Sequence, residues 1–178
     1  MRIHAVAALA QNRGIGQNGS IPWRCYADLR KFAATTKSGT KNAVVMGRKT
    51  WESLHVKPLG ARINFVISTT METRDNVYVV DYLDKAIGMA ENFGCSDLWI
   101  IGGERLYQEA VAREDVSSLV LTHVPHDGRN CDRFFPPTPD WEPRHCEVIS
   151  QDGITVGEDT RLPGVVVTVM YKRSRLTL

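Results

Sequence analysis

Two stretches of the chain carry residue types suited to a phosphorylated ligand. Val45-Met46-Gly47-Arg48-Lys49-Thr50 and Ile100-Ile101-Gly102-Gly103-Glu104-Arg105 each run from an apolar segment through glycine into a helical pattern. Glycine lets the backbone approach a ligand closely, and the free N–H groups at a helix start favour an anion. The first stretch adds two cations and a hydroxyl. On the pattern alone the readier alternative is a plain strand-to-helix turn with solvated Arg and Lys. Two such junctions in one small sheet could hold one diphosphate-containing ligand between them. Asp28 is the third candidate. It falls in the first turn of a helix, beside Leu29 and four residues before Phe32, and so borders an apolar face. One reading is an N-terminal helix acid with Lys31 as its surface partner. The other is a carboxylate facing a ligand, able to grip an N–C–N edge with two hydrogen bonds.

Gly14-Ile15-Gly16-Gln17-Asn18-Gly19 is a literal G-x-G-x-x-G, but its context excludes a Rossmann site. That fingerprint needs a helix opening at the glycines, and here Pro22 follows before any helix begins. The stretch is expected to be a turn-rich loop or a mobile lid. His123-x-x-His126 with Cys131 or Asp132 offers zinc-type donors. Pro125 interrupts the pair, so ordinary loop histidines are expected and no metal is assigned.

Short apolar strands alternating with helices must position these residues. Strands are expected at Ile3–Ala10, Asn42–Met46, Arg62–Ser68, Val77–Val80, Leu98–Ile101 and Ser118–Val124. Helices are expected at Tyr26–Thr36, from about Arg48, at Tyr82–Asn92 with Asp81 as N-cap and Gly94 as stop, and through Leu106, Tyr107 and Ala110. Gln11–Trp23 and Pro125–Pro143 are expected as loops, and His145–Ser150 with Val165–Lys172 as a closing strand pair. The architecture is then α/β: three layers, a mostly parallel central sheet with an antiparallel C-terminal strand pair, and a site at the C-terminal strand ends.

The 178 residues suit one domain over 1–178. Hydrophobic residues at 43% and charged residues at 24% argue against disorder. With 22 Lys and Arg against 20 Asp and Glu, the net charge of +2 is no footprint for nucleic acid. The basic run Lys172-Arg173-Ser174-Arg175 is too short to change that. No apolar run approaches the ~18 residues of a membrane span, and the start lacks a signal-peptide pattern. Cys25, Cys95, Cys131 and Cys146 form no C-x-x-C pair, so a cytoplasmic setting with free thiols is expected. Without a secretory signal, the sequon Asn18-Gly19-Ser20 carries no meaning.

A resemblance then becomes specific. Ala7-Ala8, Gly14-Ile15-Gly16, Ile21-Pro22-Trp23 and Asp28-Leu29-x-x-Phe32 resemble the N-terminal signature of dihydrofolate reductases. Met46 to Ser53, Pro58-Leu59 with Arg62-x-Asn64, Ile100 to Gly103 with Tyr107, Leu121-Thr122-His123, and Asp132 with Phe135-Pro136 continue it in the family's order. The matching motifs run from residue 3 to about 136, and the last forty residues match only in general character.

The resemblance implies reduction of 7,8-dihydrofolate to tetrahydrofolate by NADPH, with hydride passing to the pterin and a proton to N5. It implies a part in one-carbon metabolism and antifolate inhibitors as further ligands. Trp23, Asp28 and Thr122 are the implied catalytic set. Asp28 would hold the pterin's 2-amino group and ring nitrogen and favour protonation at N5 electrostatically, the proton coming from water. Thr122 would hydrogen-bond Asp28 or its water. Val6, Ala7, Leu29, Phe32, Leu54, Leu59 and Ile101 would form the apolar walls, and Arg62 would clamp the glutamate tail's carboxylate. Gly47, Arg48, Lys49 and Thr50 would bind the cofactor's phosphates, including the 2′-phosphate. Ser68, Thr69 and Arg105 would surround the adenine end, and Ala8, Ile15 and Tyr107 the nicotinamide. Gly102-Gly103 resembles the family's cis peptide. A monomer is expected.

Departures lie at Cys131, where the family often has glycine, and in the insert around His55-Val56-Lys57. A related pyrimidine reductase of riboflavin synthesis and a catalytically silent pterin- or nucleotide-binding protein are the alternatives. The set Trp23, Asp28 and Phe32 speaks against the former, and intact Asp28, Trp23 and Gly102-Gly103 against the latter.

Overall fold

A computed structural model describes residues 1–150, 154–156, 160–162 and 164–172. In chain order the elements are β1 (Arg2–Leu9), β2 (Gly14–Gly16), α1 (Tyr26–Lys37), β3 (Asn42–Gly47), α2 (Arg48–Ser53), β4 (Ile63–Ile67), β5 (Val77–Val80) and α3 (Leu83–Asn92). There follow β6 (Asp97–Ile100), α4 (Glu104–Ala112), β7 (Val116–His123), β8 (Arg133–Phe134), β9 (Trp141–Ser150), β10 (Ile154–Val156), β11 (Thr160–Leu162) and β12 (Val165–Lys172). Eight strands form one sheet in the order β5-β4-β3-β6-β1-β7-β12-β9. The run from β5 to β7 is parallel, and β12 lies antiparallel to both β7 and β9. The expected mixed architecture is the one found.

Strand geometry explains the layers. Successive side chains point to opposite faces, so an apolar run feeds two cores at once. On β3, Ala43 and Val45 join Leu83, Ala86, Leu106 and Ala110 under α3 and α4. Val44 and Met46 face the other way, with Trp51, Trp99 and Val120, where Phe32 of α1 and Leu54 pack. The second layer is the floor of the cleft described below. Phe65 is completely buried in the first. Phe65→Ala is expected to cost about 3–5 kcal/mol, transfer and cavity combined, and to lower the Tm accordingly.

At the N-terminal strand ends, away from the cleft, Asp97 is 2% exposed. It accepts from Arg2 Nε at 2.8 Å and from His4 Nε2 at 3.2 Å. Burial pushes its carboxyl up, and hydrogen bonds from Arg2, Ser96 and His4 outweigh this, leaving it below the usual carboxylate range.

Three expectations change. Asp81 does not cap α3: the helix opens after Tyr82, and the exposed Asp81 carboxylate pairs instead with Lys85 at 3.4 Å. The loop 11–23 contains β2, which pairs antiparallel with β8 inside the supposed loop 125–143. The penultimate strand of the main sheet starts at Trp141, earlier than 145, because its indole is buried and donates to Val111 O at 3.3 Å. The basic run beyond Lys172 lies outside the described residues.

Candidate active site

The cleft is built from α1 and the C-terminal ends of β1, β3, β6 and β7. α1 starts where Cys25, a buried N-cap, accepts the Asp28 N–H on its sulfur at 3.4 Å. This sets Asp28 in the first turn and points Phe32, one turn on, at the sheet. Asp28 is half-buried. Burial raises its carboxyl above the usual range, and a hydrogen bond with the buried Thr122 of β7 pulls it back. The Tyr107 phenol is pushed far above its ordinary value by burial, and then by the charge of Asp28. The acid, the threonine and the phenol thus share one electrostatic environment.

The expected apolar walls divide. Val6 and Ile101 are buried in the floor layer, and Phe32, Leu54 and Leu59 pack over it half-buried. Ala7 does not join them. Its side chain belongs to the opposite core with Tyr107, as strand alternation beside Val6 requires, so only its backbone is left for the cleft. Leu29 is 53% exposed, which makes it a rim residue. Leu59 is fixed by Asn64, whose side chain accepts the Leu59 N–H at 2.9 Å and donates to the Leu59 carbonyl at 3.0 Å. Arg62 donates to Thr36 Oγ1 at 2.7 Å and passes over the Phe32 ring, 5.8 Å from its centroid. Trp23 is buried beside Ala10, Cys25 and Val124, and the His126 ring lies tilted 5.3 Å from it.

The two glycine junctions come together. Gly47 N–H donates to Gly102 O at 2.8 Å, and Ile101 N–H to Val45 O at 3.0 Å. The Gly102–Gly103 peptide is cis, and Gly102 has φ +120°. A Cβ at Gly102 would stand 3.2 Å from the Tyr107 hydroxyl, and one at Gly103 would stand 3.3 Å from Thr50 Oγ1. The hydroxyl is itself held, donating to Val6 O at 2.8 Å. The junction is therefore bare backbone, closed behind by Thr50 and Tyr107, and a diphosphate can approach it closely. Arg48 and Lys49 are exposed at its side, Arg48 pairing with Glu52 at 3.2 Å. Ser68 accepts from the backbone of Thr70 and Met71 at 3.2 and 3.0 Å. Thr69 and Arg105 are exposed. Ala8 and Ile15 pack half-buried at the edges of different cores. These residues and charges fit a phosphorylated dinucleotide.

A surface cavity of about 580 Å³ lies beyond Arg48, between Trp51, Lys57, Met71 and Arg74. It is apart from Asp28. Lys57, in the insert, closes the end of α2 by donating to the carbonyls of Trp51 and Glu52 at 3.2 and 2.9 Å. The loop 11–23 is tied to the segment 131–135. Asp132 N–H donates to Gly16 O at 2.9 Å, and the Asp132 carboxylate accepts Asn18 N–H at 3.1 Å. Cys131 lies directly on Gly14, where any Cβ would collide with its sulfur. Among the described residues, no three His, Cys, Asp or Glu side chains gather as a metal site.

Comparison with known proteins gives the family. The chain matches the family profile described as dihydrofolate reductase over residues 2–170. It is 41% identical over 153 residues to dihydrofolate reductase of Schistosoma mansoni, covering 80% of this chain and 81% of that protein. It is 36% identical over 150 residues to dihydrofolate reductase of Drosophila melanogaster, covering 79% and 82%. It is 37% identical over 130 residues to that of Candida albicans, covering 68% and 67%.

Proposed function

Because the chain belongs to the dihydrofolate reductase family, we propose that it reduces 7,8-dihydrofolate to 5,6,7,8-tetrahydrofolate with NADPH, in support of one-carbon metabolism. The observation that carries this reading is the half-buried Asp28 carboxylate, backed by Thr122 and set against Phe32. It is an acceptor for the N–C–N edge of a pterin at the head of an apolar slot. When bound, NADPH supplies the hydride that goes to the pterin, while N5 takes a proton from water. Asp28 orients the ring and, as an anion in a poorly solvated place, stabilises positive charge on it as N5 is protonated. Val6, Phe32, Leu54, Leu59 and Ile101 exclude water from the ring, and Trp23 closes it on the lid side. Arg62 grips the carboxylate of the glutamate tail, and Leu29 covers the tail at the rim.

On the other side, backbone at Gly47, Gly102 and Gly103 receives the diphosphate. Arg48, Lys49 and Thr50 receive the phosphates, Ser68, Thr69 and Arg105 surround the adenine end, and Ala8, Ile15 and Tyr107 border the nicotinamide. One chain supplies every group in this scheme, so we take the working unit to be a monomer with one domain over 1–178. All four cysteines are free thiols, which accords with a cytoplasmic setting. No helix among the described residues is long and apolar enough to cross a membrane.

The test is absorbance at the NADPH band after addition of dihydrofolate. Rapid loss that needs both compounds is the expected result. NADPH bound without oxidation would instead leave a silent binder.

A further inference from the structure

The β2–β8 ribbon that carries the lid has three residues on one side and two on the other. A two-stranded ribbon so short is not stable alone, so other groups must brace it. Two side chains do so, and neither belongs to the scheme above. Arg13 is the first. With φ +68°, it receives the Phe135 N–H on its carbonyl at 2.9 Å. Its guanidinium returns to the carbonyls of Phe135, at 3.2 Å, and Pro136. Glu104 is the second. It opens α4 directly after Gly103, and its Oε1 accepts the Phe134 N–H at 2.8 Å, across thirty positions of sequence.

Glu104 therefore stands where a third strand would, and it stands on the cofactor floor. One peptide separates it from Gly103, against which Thr50 packs. One turn later Tyr107 donates to Val6 O and lies 4.8 Å from the Phe135 ring. The ring next to the braced amide and the helix that starts at the glycines are thus one packed unit. A first-turn glutamate also suits the helix dipole, but that role needs no contact with a strand on the lid.

We propose that Glu104 is a positioning residue: through the Phe134 amide it couples occupation of the Gly102–Gly103 floor to closure of the β2–β8 lid. The inference rests on the reading that this floor holds NADPH. A cofactor seated on the glycines fixes the start of α4, Glu104 then fixes β8, and β8 holds β2 closed. The closed lid in turn tightens cofactor binding, as linkage requires, and the expected form of that gain is slower release.

The experiment compares the native chain, Glu104→Ala and Glu104→Gln. It uses NADPH dissociation rates and amide hydrogen exchange with and without NADPH. In the native chain NADPH should slow exchange both at 102–107 and at 131–135. In Glu104→Ala protection should persist at 102–107 and vanish at 131–135, with NADPH leaving about tenfold faster, the scale of one charge-assisted hydrogen bond. Glutamine keeps an acceptor oxygen but not the charge, so Glu104→Gln should fall between the native chain and Glu104→Ala. Native behaviour of Glu104→Ala in both measurements would overturn the coupling while leaving the cofactor site intact. So would equal loss in the Gln variant. No binding of NADPH by the native chain would overturn the reading of the floor itself, and the coupling with it.

Discussion

Asp28→Asn lowers NADPH-dependent turnover of dihydrofolate by roughly 10²–10⁴-fold at neutral pH, the usual range for loss of a group that governs proton transfer. The chain still folds and still binds NADPH, because Asp28 touches none of the glycine junctions. Asparagine is nearly isosteric and keeps one acceptor, so the substrate still enters. What is lost is the negative charge that favours a proton on N5. Residual activity of the variant should therefore climb as pH falls, following the supply of protons from solvent. A variant with native kcat at pH 7 would refute the role given to Asp28.

The same substitution has a stability signature of opposite sign. The Asp28 carboxyl is raised in the folded chain by burial, against the pull of Thr122. The folded state therefore binds more protons than the unfolded state between the ordinary aspartate value and the raised one. Stability associated with this group is complete below the unfolded value and falls as pH rises through the folded one. Asp28→Asn removes that loss, so its Tm at pH 7 should exceed the native Tm. The difference should disappear in acid. Thermal scans of both chains at pH 3 and pH 7 test the sign, and equal Tm at both would contradict it.

The second large effect concerns cofactor choice. Arg48→Ala with Lys49→Ala should weaken NADPH by about 10²–10³-fold, the loss of two charge-assisted hydrogen bonds to one phosphate. NADH, which lacks the 2′-phosphate, should be weakened far less. Glu52 sharpens the contrast: it now pairs with Arg48 at 3.2 Å, and without that partner its carboxylate faces an incoming phosphate. Fluorescence titration with each nucleotide measures both constants. Equal losses for NADPH and NADH would place the 2′-phosphate elsewhere.

The parallel strands were legible because Ala43-Val44-Val45-Met46 and its counterparts are apolar on both faces, which only a covered sheet accepts. The glycine junctions were legible as places, and their contact was not: Gly47 N–H meets Gly102 O across more than fifty residues, and no local pattern encodes that. The lid ribbon escaped because three residues facing two have no periodicity to read. Asp81 misled because its side chain has an equally good use four residues on, with Lys85. Ala7 was assigned to the wrong side by a motif that names residues in sequence, while a strand turns each successive Cβ to the other face. Asn64 stood inside a recognised motif, but its work on Leu59 is a backbone-to-side-chain exchange visible only in space.

The place of β12 has a consequence for biosynthesis. It is the last strand of the main sheet to be made, yet it lies inside the sheet, between β7 and β9. Until it emerges, β7 has an open edge along Leu119, Val120 and Leu121, which later pair with Met170, Val169 and Thr168. An apolar edge of that kind invites pairing with other chains. Some fifty residues separate the end of β7 from the end of β12, and at ribosomal speed that interval lasts on the order of several seconds. A slowly translated chain, or one cut short before residue 165, would present an almost complete parallel sheet beside an unpaired strand, and would be a substrate for chaperones before it was an enzyme.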